Sequence, residues 1–230
     1  MKNKPTNHGK KWNKQDLENI YKLLSKHHKD PNIYQALAEQ YSRTEKAIFR
    51  EGNKLLREKF ISERGISKLI HFTDIRNLAS IKLHGLLSIK SLKKNNIPYY
   101  FCDEGRHDNM PNATSLSITN RNNFLFNIYK NRYSNTQWIE LEIDPTIIIN
   151  ALCYFYDTNA ANKKFNAERE SLDDIAALKN MFADSVMTKG GRIKRVNQNR
   201  NETTCLQAEI MIVNRIPPNM IKAIRKIDVS

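Results

Sequence analysis

Glu209 stands at the mouth of an apolar run, Ile210-Met211-Ile212-Val213, which ends in the turn formers of residues 214–218 (NRIPP). A short apolar run bounded by turn signals reads as a strand buried on both faces. A carboxylate entering such a strand is costly unless something pairs with it or needs it there. Just upstream, residues 188–200 (TKGGRIKRVNQNR) carry five Lys and Arg and no acid, and read as a flexible loop. One acid held on a rigid element beside a mobile basic loop suits catalysis on a polyanion. An edge-strand glutamate facing solvent fits the same residues, so the rest of the chain has to separate the two readings.

Other chemistry-bearing residues gather at strand ends. His71 and Thr73 close the run KLIHFT; Asp103, Arg106 and Asp108 share one loop; Ser115 and Ser117 fall on one face of ATSLSIT; Asn159 sits in the turn DTNAA. The phosphate-cradling patterns G-x-x-x-x-G-K and G-x-G-x-x-G are absent, as are H-E-x-x-H and the G-x-S-x-G elbow. With no Cys/His cluster, no metal site is expected. What remains is a metal-free site of one histidine, one arginine, one glutamate and hydroxyls. Taken singly, His71 equally reads as a core histidine and Arg106 as a loop cation.

These residues need elements to hold them. The chain has 230 residues, 40% of them hydrophobic, enough for one core domain and a small appended one. Lys plus Arg is 38 and Asp plus Glu 24, a net charge of +14 that favours a polyanionic partner, nucleic acid or an anionic membrane face. Three scattered cysteines with no C-x-x-C pair fit a reducing cytoplasm. No run reaches the length of a membrane span. From residue 67 to 230, six or so short strands alternate irregularly with small helices. No regular βαβ period appears, which indicates an α+β domain with a mixed sheet. Helices are expected at 74–83, stopped by Gly85, and at 172–182. Strands are expected at 68–73, 113–119, 137–143, 153–156, 209–213 and 221–229.

Residues 1–62 differ in texture. Residues 1–11 are basic and polar and read as a disordered tail. Helical spacing follows in Leu17, Ile20, Tyr21 and Leu24, then in Ile33, Leu37 and Ala38. Ser42-Arg43-Thr44-Glu45 has the form of a capping box for a third helix, in which Gly52 is a weak point. The pattern W-x3-D-x2-I-x2-L followed by A-L-A-x2-Y-x-R-T-x2-A-I, over residues 12–48, resembles a SANT/Myb-like helix-turn-helix. That likeness implies nucleic-acid contacts from Arg43 and Lys46. A helical bundle with a merely solvated basic face remains the alternative.

A longer succession is more specific. His71-Phe72-Thr73, Asn77-Leu78, Gly85-Leu86-Leu87-Ser88, Arg106-x-Asp108, Leu116-Ser117, Trp138-x-x-Leu141, Thr158-Asn159-Ala160-Ala161, Gln207-Ala208-Glu209-Ile210 and Ile216-Pro217-Pro218 occur in that order. Over residues 69–224 the chain resembles the DarT family of DNA ADP-ribosyltransferase toxins, whose fold is similar to the diphtheria-toxin/PARP-like transferases. The resemblance implies an enzyme that consumes NAD and modifies a base in single-stranded DNA. It also implies the context of a toxin–antitoxin or phage-defence system, often with a macrodomain antitoxin.

By that resemblance Glu209 binds the ribose and steadies the charge that develops as nicotinamide leaves. His71, Phe72, Thr73, Leu86, Ser117 and Asn159 line the NAD site, and Arg106 meets the pyrophosphate or the target base. Residues 188–200 correspond to the substrate-recognition loop, so Arg192, Lys194, Arg195 and Arg200 are expected on DNA phosphates. That loop has no aromatic, which leaves Tyr99, Tyr100, Phe101 or Phe124 to stack a base. Residues 109–111 and 120–126 depart from the family pattern, so the choice of base stays open. An NAD-sensing DNA-binding regulator with an inactive domain, or an RNA- or protein-directed transferase, would carry many of the same residues.

Overall fold

The computed structural model describes residues 5–7, 9–28, 30, 32–100, 108–162 and 172–228. The chain divides into two compact units, Met1–Ser62 and Glu63–Ser230.

In the first unit, α1 (Lys14–His27), α2 (Ile33–Gln40) and α3 (Glu45–Arg64) follow the periodicity read from the sequence. Asn13 caps α1 by accepting from the Asp16 N–H at 2.7 Å. The capping box expected from Ser42 is not what starts α3. Ser42 has φ 49°, outside helical space, and Thr44 Oγ1 takes the Ala47 N–H instead. Gly52 is no weak point either. A Cβ there would lie 2.1 Å from Leu24 Cδ1, and Leu24 is fully buried, so the absent side chain lets α1 and α3 approach closely.

The stretch read as a disordered tail is partly tied down. Asn7 Nδ2 donates to the Tyr41 carbonyl at 2.9 Å. The Arg43 guanidinium donates to the carbonyls of Asn7, Lys10 and Lys11, and stacks 4.3 Å over the Trp12 ring. Arg43 is therefore spent on its own chain, whereas Lys46 is exposed in the first turn of α3.

The second unit is α+β, as expected. Its sheet has the order β10 (Ile221–Lys226), β4 (Trp138–Ile143), β1 (Leu69–Asp74), β3 (Ala113–Ile118), β8 (Glu209–Val213), β5 (Cys153–Tyr156). Every described ladder is antiparallel, where the sequence suggested a mixed sheet. β1 pairs with β4 along six residues, and β3 pairs with β8 along four. Between β1 and β3 only two rungs form, Leu69 with Ile118 and Ile70 with Ser117. Beyond Ile70 the two strands part, and the sheet becomes two three-stranded halves with a gap between them.

Both halves have dry interiors. Leu69, Leu141, Ile143, Ile148, Ile210 and Ile212 are essentially inaccessible. On one side Phe72 meets Phe126, Tyr129 and Trp138 at centroid separations of 5.2–6.2 Å, pairs worth roughly 0.5–1.5 kcal/mol each beyond their area. Phe126 and Tyr129 come from α6 (Asn123–Arg132), whose N-cap is Asn122. On the other half Met110, Ala113, Tyr156, Ala160 and Met211 pack together, and Tyr156 Oη donates to Met110 Sδ.

The entry to β1's return path is set by glycine. α4 (Leu78–His84) ends at Gly85, with φ 76°, before β2 (Leu86–Leu87) pairs with β9 (Arg215–Ile216). A Cβ at Gly85 would lie 2.1 Å from the Ile216 carbonyl oxygen, a backbone atom that cannot swing away. Gly85→Ala should therefore destabilise the protein by more than about 1 kcal/mol, because both the φ and the space are wrong for a side chain. Gly190→Ala, whose Cβ would meet only Thr188 Oγ1 at 3.8 Å, should stay within about 0.5 kcal/mol of wild type. Urea denaturation of the two variants checks the contrast.

Candidate active site

The gap between β1 and β3 is where the sequence-marked residues converge. β1 carries His71, Phe72 and Thr73 along one wall, and β3 brings Ser115 and Ser117 to the other. A cavity of about 130 Å³ is lined by His71, Phe72, Thr73, Ser117, Asn122 and Glu209, among others. A second, of about 110 Å³, is lined by His71, Thr73, Leu86, Leu87, Tyr99 and Ser115, with others. His71, Thr73, Tyr100 and Ser115 border both. The two cavities form a bent cleft, with β1 at the bend.

Glu209 is 6% exposed, at the start of β8 between β3 and β5. Its register partner on β5 is Tyr156. Glu209 Oε2 accepts the Ala160 N–H at 2.8 Å, and the strand is buried on both faces, as the apolar run implied. The bland reading, a solvent-facing edge glutamate, fails on both points. A hydrogen bond from a backbone N–H fixes the direction of the carboxylate. The turn that supplies it, residues 158–161, is shaped by Asn159, whose Oδ1 accepts from the Ala161 N–H at 2.9 Å. Asn159 was expected in the NAD site. It lies one residue from the acid's partner, but it borders a different groove, described below.

His71 Nδ1 lies 2.9 Å from the Ser115 carbonyl oxygen. A carbonyl only accepts, so Nδ1 carries the proton and Nε2 is the acceptor nitrogen. The ring thus takes a strand carbonyl at the point where the β1–β3 ladder has stopped. Burial pushes its pKa below the ordinary 6.5, and the Ser115 hydrogen bond opposes part of that shift. The imidazole is neutral at neutral pH.

Several residues that sequence reasoning did not assign build the other wall. Asp74 is buried and holds Arg76 in a bidentate pair at 2.5–3.0 Å. The Arg76 guanidinium stacks 3.8 Å over the Tyr100 ring. Asn77 donates to Thr73 Oγ1 and to the Tyr100 carbonyl, and accepts from the Tyr100 N–H. The end of β1 is laced to Tyr100, which borders both cavities while staying 46% exposed. The D-x-R-N spacing after His71-Phe72-Thr73 was the available signal, since a helix start is where Asp and Asn find backbone partners. Asn122 is buried, caps α6 through Oδ1, and has an Nδ2 with no hydrogen-bond partner.

The basic stretch before β8 is not a flexible loop at its start. β6 (Ser185–Thr188) and β7 (Gly191–Lys194) form a hairpin with Thr188 opposite Gly191, so its turn is Lys189-Gly190. Thr188 Oγ1 ties the turn by accepting from the Gly190 N–H and donating to the Gly191 carbonyl. Arg192 and Lys194 are exposed on β7. Arg195 is not a DNA-facing cation. Its guanidinium donates to the carbonyls of Glu202 and Asn199, and to Thr204 Oγ1, closing the following loop. Arg200 is exposed, and its carbonyl accepts from Arg64. Arg106 lies outside the described residues, as do Cys102 and Asp103.

Among the described residues no group of three metal-binding side chains occurs, and no helix is long and apolar enough to cross a membrane. The family model "ssDNA thymidine ADP-ribosyltransferase, DarT" matches residues 70–229, more than half of the chain. The chain belongs to the DarT family. It is thus placed among ADP-ribosyltransferases, enzymes that take NAD as the ADP-ribose donor, as the order of its motifs suggested. A solved structure, Thermosipho africanus DarTG in complex with ADP-ribose, is similar to this DarT-family chain at 17% sequence identity and a TM-score of 0.45. That similarity covers 70% of this chain and 44% of the other, so the chain spans under half the length of that protein. A comparison with curated proteins finds no match. The region matched by the family model begins after α3, so that match does not bear on the helix-turn-helix likeness of the N-terminal unit.

The His71 site has a pH signature. Its folded pKa is lowered, so below pH 6.5 the unfolded chain takes up a proton that the folded chain resists. Its influence on stability is absent above pH 6.5, and stability is lost as the pH falls below it. Urea titrations at about pH 7.5 and about pH 5.5 should show this loss in wild type and a smaller one in His71→Asn.

Proposed function

We propose that this DarT-family chain transfers ADP-ribose from NAD to a base in single-stranded DNA and acts as a toxin. The observation that carries the reading is the position of Glu209. A buried carboxylate on a rigid central strand shares one cavity with His71 and Thr73, and a backbone N–H aims it.

The chemistry follows from what each side chain is able to do. The bond from the ribose C1′ to the nicotinamide nitrogen breaks, and positive charge develops on the sugar. A fixed carboxylate in a water-poor cleft stabilises that charge better than water does, because its direction is set beforehand. A base nitrogen then bonds to C1′, and its proton passes to Glu209 or onward to solvent. Nicotinamide leaves neutral. His71, with Nδ1–H held by Ser115, presents Nε2 as an acceptor for a ribose hydroxyl. Thr73, Leu86, Ser117 and Phe72 supply the remaining lining, and Phe72 also braces β1 through its aromatic cluster. Asn159 acts on the acid through its turn rather than on NAD. Arg106 remains assigned to the pyrophosphate or the base.

Family membership supports thymidine as the acceptor base. Charge supports a polyanionic one, since Arg192 and Lys194 are exposed on the hairpin that precedes β8 in the chain, and the chain is strongly basic. In this reading the N-terminal unit docks on nucleic acid through Lys46, and a macrodomain partner reverses the modification.

Incubation with labelled NAD and, separately, single-stranded DNA, duplex DNA, RNA and protein should label single-stranded DNA alone. Glu209→Gln keeps an acceptor for the Ala160 N–H, so the fold survives, and labelling should drop at least roughly 10²–10⁴-fold. Expression of wild type should arrest growth, and the variant should not. NAD binding without label on any acceptor would overturn the assignment and favour a sensor.

A further inference from the structure

Residues of the 158–161 turn also line a groove of about 340 Å³, none of whose lining residues borders either cavity of the cleft. Its walls are Phe124 from the first turn of α6 and the hairpin tip at Lys189, with Asn159, Asn162 and Gln207 between them. Phe124 is 60% exposed, although its neighbour Phe126 is buried in the aromatic cluster. On the same outer face of α6, one turn on, Ile128 is 39% exposed. An aromatic ring left in water on a helix that has already filled its core is conspicuous. The groove is also continuous with the catalytic acid by chain. Gln207 precedes Glu209 by two residues, and Asn159 precedes the N–H that holds its carboxylate.

The side chains suit one kind of occupant. A flat apolar ring offers a face to any base. Side-chain amides offer donors and acceptors to base edges. Lys189 stands at a hairpin tip whose other charges, Arg192 and Lys194, are also positive. We infer that this groove holds a nucleotide next to the modified one, with its base stacked on Phe124 and its phosphate on Lys189. The inference rests on the reading that single-stranded DNA is the acceptor. It adds a second contact point, which positions the strand so that the neighbouring base reaches over the 158–161 turn to Glu209.

Stacking on an aromatic is sequence-tolerant, so this contact sets strand position rather than base choice. A protein acceptor fits less well. It would need apolar anchoring and charge complementary to a basic rim, and it offers no repeating planar group for Phe124.

The test uses the full chain, NAD and a short thymidine-containing single-stranded oligonucleotide. Phe124→Ala should raise the KM for the oligonucleotide by roughly 5- to 150-fold, the range expected for loss of one stacked base. NAD affinity, measured by calorimetry, should not move with it. Phe124→Trp should restore the KM, and its added indole fluorescence should be quenched by the oligonucleotide. Lys189→Ala should lower the salt dependence of binding by about one phosphate contact. An unchanged oligonucleotide KM in Phe124→Ala, or an indole signal that ignores saturating oligonucleotide while DNA is still labelled, overturns the groove assignment alone. Failure of the wild-type protein to label any DNA overturns the acceptor assignment and this one together. Labelling of protein in its place, impaired by Phe124→Ala, would reassign the groove to a polypeptide.

Discussion

A carboxylate kept from water on a central strand constrains everything around it. Glu209 is buried, and a buried carboxylate needs a donor fixed by the fold. The Ala160 N–H is such a donor, and it comes from a turn that is itself stapled by Asn159 and wedged against the Met110–Tyr156–Met211 cluster. The tight packing of β8 between β3 and β5 leaves the acid no freedom to drift. The position of the carboxylate is thus secured by ordinary core packing on one side and by one short turn on the other.

The remaining wall of the cleft is polar and laced rather than packed. Asp74, Arg76, Asn77 and Tyr100 form a chain of contacts that reaches from the end of β1 over both cavities. Its ion pair joins a buried Asp74 to a half-exposed Arg76, so one partner is anchored in the fold while the other reaches outward. Its value is positional. It holds an aromatic ring and a stretch of backbone over a cleft that apolar packing alone would close.

Much of this was legible in the chain itself, for definite reasons. β1, β3, β4, β5 and β8 announce themselves through local period or apolar runs, and the three N-terminal helices through helical spacing. The acid was visible because a glutamate opening an apolar strand is anomalous. What was not legible depends on long-range geometry. Nothing local says that β1 and β3 pair for two rungs and then separate, or that every ladder among the described residues is antiparallel. Residues 188–194, the second half of the Ser185–Lys194 hairpin, read from the sequence as part of a flexible loop because the strands are short and lack clean alternation. Arg43 and Arg195 show a deeper limit. A guanidinium suits a phosphate and a backbone carbonyl equally well, and only the folded chain decides which it meets.

The His71 ring bridging to the Ser115 carbonyl has one more consequence. Neighbouring strands tend to zip until their carbonyls and amides are matched, and here an imidazole occupies the place where the next rung would form. The side chain works as a spacer as well as a lining of the cleft. A residue too short to span the interval would leave the Ser115 oxygen wanting a donor, and the nearest is the opposite backbone. The cleft is therefore a parting in the sheet held open by a residue that also lines it, which ties the existence of the pocket to the identity of one side chain.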